Sequence, residues 1–208
     1  MSEPQLSRGT LAQIPASVKT PTYAIHPEAT GVVHLGLGAF HRAHQAMVFD
    51  QLLREGDSRW GIHGVGMTQP SLVNKLRAQD GLYSVRVAGA TGVEWQVPGA
   101  LWQTSVATTE RQNILYAIAA KSTRWITLTV TEKGYTPALA QLLLDGLRLR
   151  WQNQLPGLTV ASCDNLQANG RKLHALVMTE ATDAALRDWI EAHCAFPCSM
   201  VDRIVPAT

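Results

Sequence analysis

The sequence predicts an α/β fold: a mostly parallel sheet covered by helices on both faces, with a small hairpin inserted into the alternation. Three observations point there. Short apolar runs alternate with longer segments of helical period, the first apolar run leads into a Gly-x-Gly turn, and 208 residues of 46% hydrophobic and 16% charged composition suffice for one substantial core.

Residues 1–30 are rich in Ser, Pro and Thr and keep no sustained period, so they are expected to form an arm laid over a domain of residues 31–208. Residues 31–35 read as the first strand. After the glycine turn, Ala43, Ala46, Met47, Phe49 and Leu53 share one face of a helix. Residues 60–67 form a second apolar strand, and a helix follows from about Ser71, with Pro70 near its start. Residues 83–87 and 93–97 are strand candidates joined by AGATG, the inserted hairpin.

Thr109 precedes a helix expected to reach about Lys121, and RWITLTV, residues 124–130, is a strand dense in β-branched side chains. Pro137 suits the first turn of a helix, where its missing amide is not needed, and that helix runs to about Gln152. The LPG triplet breaks it, and LTVASC, residues 158–163, supplies the next strand. One helix from about Arg171 to Ala192 then turns Leu173, Leu176, Val177, Leu186, Trp189 and Ile190 toward the core. Strand and helix recurring at this rhythm imply right-handed crossovers and a sheet of the Rossmann-like, doubly wound kind.

Composition narrows the function classes. A formal net charge of +2 and six dispersed tryptophans provide neither an electrostatic footprint nor a stacking platform for nucleic acid. No apolar run approaches the roughly 20 residues that span a bilayer, and no basic, apolar and small-residue sequence marks a signal peptide. Cys163, Cys194 and Cys198 do not form the framework of a secreted scaffold, so a reduced, cytoplasmic protein is expected. Cys194 and Cys198 with His193 fall short of the four ligands a zinc site needs, and no metal is expected.

The chemistry concentrates in GVVHLGLGAFHRAHQ, residues 31–45. In a dinucleotide site the first glycine allows the tight turn and the second lets backbone amides approach a pyrophosphate, which the following helix N-terminus stabilises. Gly36 and Gly38 fit those roles. His41 stands where a third glycine is usual, so Ala43 is the candidate for close helix–sheet packing, and Arg42 could bond a phosphate. At the end of the second strand, Gly66, Met67, Thr68 and Gln69 offer neither the acid that favours NAD nor an arginine for NADP.

That stretch, with QDGLY at 79–83, TLTVTEKGY at 127–135, SCDNLQANG at 162–170 and FPCSMVDRIVPAT at 196–208, closely resembles the long-chain mannitol dehydrogenase family. The group includes mannitol and arabinitol dehydrogenases and fructuronate reductase, or mannonate oxidoreductase. The resemblance implies metal-free interconversion of a polyol or sugar acid and its keto form, mannitol/fructose or mannonate/fructuronate, with NAD as cofactor and NADP not excluded. It implies cofactor contacts at Gly36, Gly38, Ala39, Phe40 and Arg42, with Asn165 near the nicotinamide. Lys133, in the TEKGY block, and Asp202, in MVDRIVP, are candidates for supporting roles; a polar loop and a structural ion pair are the alternatives.

The same resemblance implies an acid/base lysine supported by asparagine and histidine in a helical C-terminal domain, and no matching motif occurs in these 208 residues. Two readings follow. One is the nucleotide-binding part of a dehydrogenase, with a separate C-terminal chain as partner if the enzyme is divided. The other is a noncatalytic nucleotide-binding remnant or association domain.

Overall fold

The computed structural model describes residues 5–68, 70–90, 92–201 and 205. Among the described residues seven strands form: β1 Val32–Leu35, β2 Ile62–Gly66, β3 Val85–Gly89, β4 Gly92–Gln96, β5 Leu101–Val106, β6 Trp125–Leu128 and β7 Thr159–Ser162. Five of them make one sheet in the order β5-β2-β1-β6-β7, every neighbouring pair parallel. β3 and β4 form a separate antiparallel hairpin. Six α-helices connect and cover them: α1 Ala46–Arg54, α2 Pro70–Ala78, α3 Arg111–Ile118, α4 Pro137–Gln152, α5 Asn169–Glu180 and α6 Ala184–His193.

Successive side chains of a strand point to opposite faces, and β1 shows how both faces are filled. Val32 joins a core built with Ala46, Phe49 and Leu53 of α1 and Val73 and Leu76 of α2. Val33 and Leu35 join the other core, with Ile114 and Ile118 of α3, Leu143 and Leu147 of α4, and Leu173 and Ile190 of α5 and α6. All four β1 residues are buried, the continuous pattern of a strand covered on both sides. From β1 the order proceeds to β2 and β5 on one side and to β6 and β7 on the other. This reversal creates the crevice at the strands' carboxyl ends where such sheets take ligands.

The arm is tied down. Lys19 bridges Gln96 of the hairpin, with its N–H on the Trp95 carbonyl at 3.1 Å and its carbonyl accepting from Val97 at 2.7 Å. Tyr23 donates to Asp50 of α1, which is 2% exposed and also accepts from the Gly99 amide at 2.7 Å.

Two elements differ from expectation. LWQTSV, residues 101–106, is a strand at the sheet edge that sequence reading passes over, because exposed Gln103 and half-buried Thr104 interrupt its apolar pattern. The last expected helix is two. Asp183 takes an extended conformation, and its carboxylate accepts the Leu186 amide at 3.2 Å, so it starts α6 as an N-cap after the chain leaves α5. After α6, Ala195 pairs in parallel with Thr159 and continues the sheet past β7. Among the described residues no helix is long and apolar enough to cross a membrane.

Candidate functional site

β1 delivers the chain to the glycine turn at the middle of the sheet's carboxyl edge. Gly36 adopts φ +104°, and a Cβ there would lie 2.2 Å from the Thr129 carbonyl oxygen, so conformation and space both demand glycine. Its carbonyl is turned inward. It accepts from the Gly38 amide and the Thr129 hydroxyl, each at 2.7 Å, and from His34 Nε2–H at 2.9 Å. The Gly36 and Leu37 amides donate to Val65 at 2.9 and 3.3 Å, and the helical ladder begins with Arg42 N–H on the Gly38 carbonyl at 3.2 Å.

The amides of Ala39, Phe40 and His41 therefore lead the helix without an intrahelical acceptor, the arrangement that favours an anion. Gly38 and Ala39 are exposed at this point. A Cβ on Gly38 would have its nearest neighbour, the Gly36 carbonyl oxygen, at 4.0 Å. The fold thus has no steric need for glycine at 38.

His41 solves a packing problem. Its ring is 1% exposed and lies flat on that of the fully buried His34, centroids 3.4 Å apart and planes inclined by 11°. Residues 41–45 form a π-helical turn that carries the chain into α1, with the Ala46 amide reaching back to His41. His34 accepts from the Thr127 hydroxyl through Nδ1 at 2.7 Å, and His41 donates Nδ1–H to Gln45 at 3.1 Å. Burial drives the His41 pKa down to about 4 and that of His34 well below its ordinary value, with the neighbouring ring adding to the effect on His34. Ala43 is only half-buried; the small residue packed against the sheet is Ala46, 1% exposed.

The opposite rim is formed by the loops after β6 and β7. Thr131 has φ +65° and ψ 168°, a region that β-branched residues avoid. Asp164, 7% exposed, reaches across from the end of β7 and accepts the Thr131 amide at 2.7 Å, the Val130 amide at 3.2 Å and the Tyr135 hydroxyl at 3.2 Å. Burial raises the Asp164 pKa while those donors oppose the shift. Asn169, fully buried at the start of α5, holds Ser199 through its amide NH2 and its carbonyl oxygen, anchoring the segment after α6 to this edge.

Between the ends of β2, β5 and β6 lies a cavity of about 500 Å³, whose walls include Thr68, Thr108, Val130, Thr131 and Lys133. A larger one, about 730 Å³, lies along the outer side of β5 between Arg77 and Tyr116, and no residue of the glycine turn reaches it.

The residues expected from sequence fall into place unevenly. Gly36, Gly38, Ala39 and Phe40 form the turn and the helix start, and Phe40 packs edge-on against His44. Arg42 folds back to donate to the Leu37 carbonyl at 2.7 Å, while its own carbonyl accepts from Tyr83 at 2.9 Å, so it clasps the turn. Asn165 is exposed at the end of β7, and Lys133 is exposed at the cavity wall. Asp202, like Gln69, lies outside the described residues. Sequence reasoning gave no site role to His34, Thr127, Thr129 or Asp164. Their signal was available as polar side chains within or just after otherwise apolar strands.

The mannitol dehydrogenase Rossmann domain family matches residues 30–208. The chain is 38% identical to D-mannonate oxidoreductase of Escherichia coli K12, over 85% of this chain and 43% of that protein. It is 34% identical to mannitol 2-dehydrogenase of Cereibacter sphaeroides, over 92% and 46%. Among solved structures, Pseudomonas fluorescens mannitol 2-dehydrogenase in ternary complex with NAD and D-mannitol superposes with a TM-score of 0.88 at 32% identity, over 99% of this chain and 48% of that one. The chain spans less than half the length of these relatives. With the five-stranded parallel order and the glycine turn in place, the chain belongs to the mannitol dehydrogenase family of oxidoreductases, whose Rossmann domain it carries.

Proposed function

We propose that this chain is the dinucleotide-binding part of an NAD-dependent oxidoreductase that interconverts a polyol or sugar acid with its keto form, mannitol with fructose or mannonate with fructuronate. The observation that carries the reading is the turn itself. Gly36 is explained by the fold, Gly38 is explained only by a ligand's approach, and the leading helix amides stand beside it.

A pyrophosphate fits those amides of Ala39 and Phe40, with Arg42 fixing the turn beneath them. The adenosine half is assigned to the cavity at β2, β5 and β6, where Thr68 meets the ribose and no acid selects NAD over NADP. The nicotinamide half is assigned to the β6 and β7 rim, with Thr131 and Asn165 beside it and Lys133 and Asp202 in supporting roles. Bound NAD supplies a hydride acceptor for the substrate's carbinol carbon, which becomes the ketone carbon as the hydroxyl proton leaves. That proton needs a positioned base. The acid/base lysine implied by the family resemblance matches no position in this sequence, so proton removal is assigned to a further domain or a separate C-terminal chain.

Calorimetric titration with NADH and NADPH tests the reading, using the wild type and Gly38→Val. Saturable binding by the wild type, weakened at least about tenfold in Gly38→Val without loss of thermal stability, is expected. Wild-type protein that binds neither dinucleotide would falsify it. Turnover of mannitol, mannonate and fructuronate, measured with the chain alone and with an added C-terminal chain, separates a divided enzyme from a domain that only binds nucleotide.

A further inference from the structure

The rim after β6 holds a conformation that its own sequence resists. Thr131 is β-branched, yet it sits at φ +65° with ψ 168°, and it is exposed, so no packing of its side chain holds it there. The hold comes from the next strand over. One oxygen of Asp164 takes the Thr131 amide at 2.7 Å; the other takes the Val130 amide and the Tyr135 hydroxyl, both at 3.2 Å.

The carboxylate is itself fixed. Its residue's amide donates to Ser162 Oγ at 3.2 Å, its carbonyl accepts from Asn169 at 2.9 Å, and Ser162 Oγ meets the Tyr135 hydroxyl at 2.5 Å. Ser162 and Asn169 are fully buried. A rigid polar frame at the end of β7 therefore dictates the backbone at the end of β6.

We propose that Asp164 is a positioning residue for the cofactor: by holding the Val130–Thr131 peptide it shapes the rim against which the nicotinamide half of the dinucleotide rests. The inference rests on the dinucleotide-binding function proposed above and deepens it. Asparagine cannot replace the aspartate here. Both carboxylate oxygens accept from donors, so whichever position the Asn NH2 group takes, it faces an N–H or O–H donor and one bond is lost. Glycine at 131 has the opposite effect, because it adopts φ +65° without a restraint.

The experiment measures binding of NADH, followed by nicotinamide fluorescence, and of ADP, followed by calorimetry, to the full chain. Asp164→Asn is expected to weaken NADH about tenfold or more and to leave ADP within about twofold, since ADP lacks the nicotinamide half. Adding Thr131→Gly to Asp164→Asn restores NADH affinity to within about threefold of wild type. A purely structural role for Asp164 would weaken both ligands together and would not respond to glycine. Tyr135→Phe, which removes one donor from the frame, serves if Asp164→Asn does not fold; it is expected to weaken NADH alone. Equal NADH affinity in the variant and wild type, or parallel loss of ADP, overturns the inference while leaving dinucleotide binding intact. Wild-type protein that binds neither ligand overturns both.

Discussion

Lowering the pH from 7 to 5 protonates, in the unfolded chain, histidines that the fold keeps neutral. His41, against His34 beneath the glycine turn, and His63, 3% exposed on β2, are both held at about 4, chiefly by burial, and Arg77 adds to the effect on His63. In the unfolded chain a histidine titrates near 6.5. The folded value is the lower one, so between those limits the unfolded chain binds more protons, and stability falls as pH falls through the window. The stabilisation is fully present above about pH 7. At pH 5, linkage gives a loss of about 2 kcal/mol for each of the two, about 4 kcal/mol together, relative to pH 7. His34, also held below its ordinary value chiefly by burial, adds to it. Against a typical domain stability of 5–15 kcal/mol, roughly half could be gone. Urea unfolding followed by tryptophan fluorescence at pH 7, 6 and 5 measures this, with His63→Gln as control, since glutamine keeps a partner for Ser105 but does not titrate. The control should lose about 2 kcal/mol less over the same interval. A wild-type loss below about 1 kcal/mol, or an identical slope in His63→Gln, refutes the assignment of neutral buried imidazoles.

Two further perturbations probe the frame around the site. His41→Gly restores the usual glycine spacing but removes a buried ring from the stack on His34, and it should lower stability by about 3 kcal/mol in urea unfolding, cavity and helical glycine together. Unchanged stability would mean the ring fills no needed space. Arg150, 1% exposed, donates to the carbonyls of Ile118 and Ala120 at 2.8 Å and of Pro156 at 3.0 Å, closing the end of α3 against α4. Arg150→Met leaves those carbonyls without the guanidinium and should cost about 3 kcal/mol or more in thermal unfolding, with Arg150→Lys intermediate.

The alternation of strands and helices was legible because β1 and β6 are mostly buried and apolar, each broken by a single polar residue, His34 and Thr127, and so stand out as short apolar runs. β5 was not, because an edge strand turns Gln103 outward, where it reaches the Pro27 carbonyl. The break between α5 and α6 contains neither Gly nor Pro; it depends on Asp183, whose capping role appears only once the chain has turned. At the turn, Gly36 was legible from spacing because its positive φ and the crowded Thr129 carbonyl are a local demand on the backbone. Asp164 could not be read that way. Its significance lies in amides more than thirty positions earlier, which reach it only when β6 and β7 lie side by side.

The third position of the fingerprint shows which parts of such a motif are negotiable. Gly36 is fixed by a positive φ and a carbonyl 2.2 Å from any Cβ, whereas at Gly38 the fold itself leaves room for a side chain, and in the proposed function the glycine there admits a diphosphate. The third glycine ordinarily serves only to let helix and strand come close. Here His41 fills that interface with an imidazole laid flat on His34, and a π-helical turn over 41–45 carries the chain from there into α1. The amides at the helix start are unaffected, because the first ladder bond, Arg42 to Gly38, lies before the π turn ends. The residue at the third position can therefore change while the first two glycines keep their spacing, so under the proposed function that spacing guides the reading better than the complete pattern.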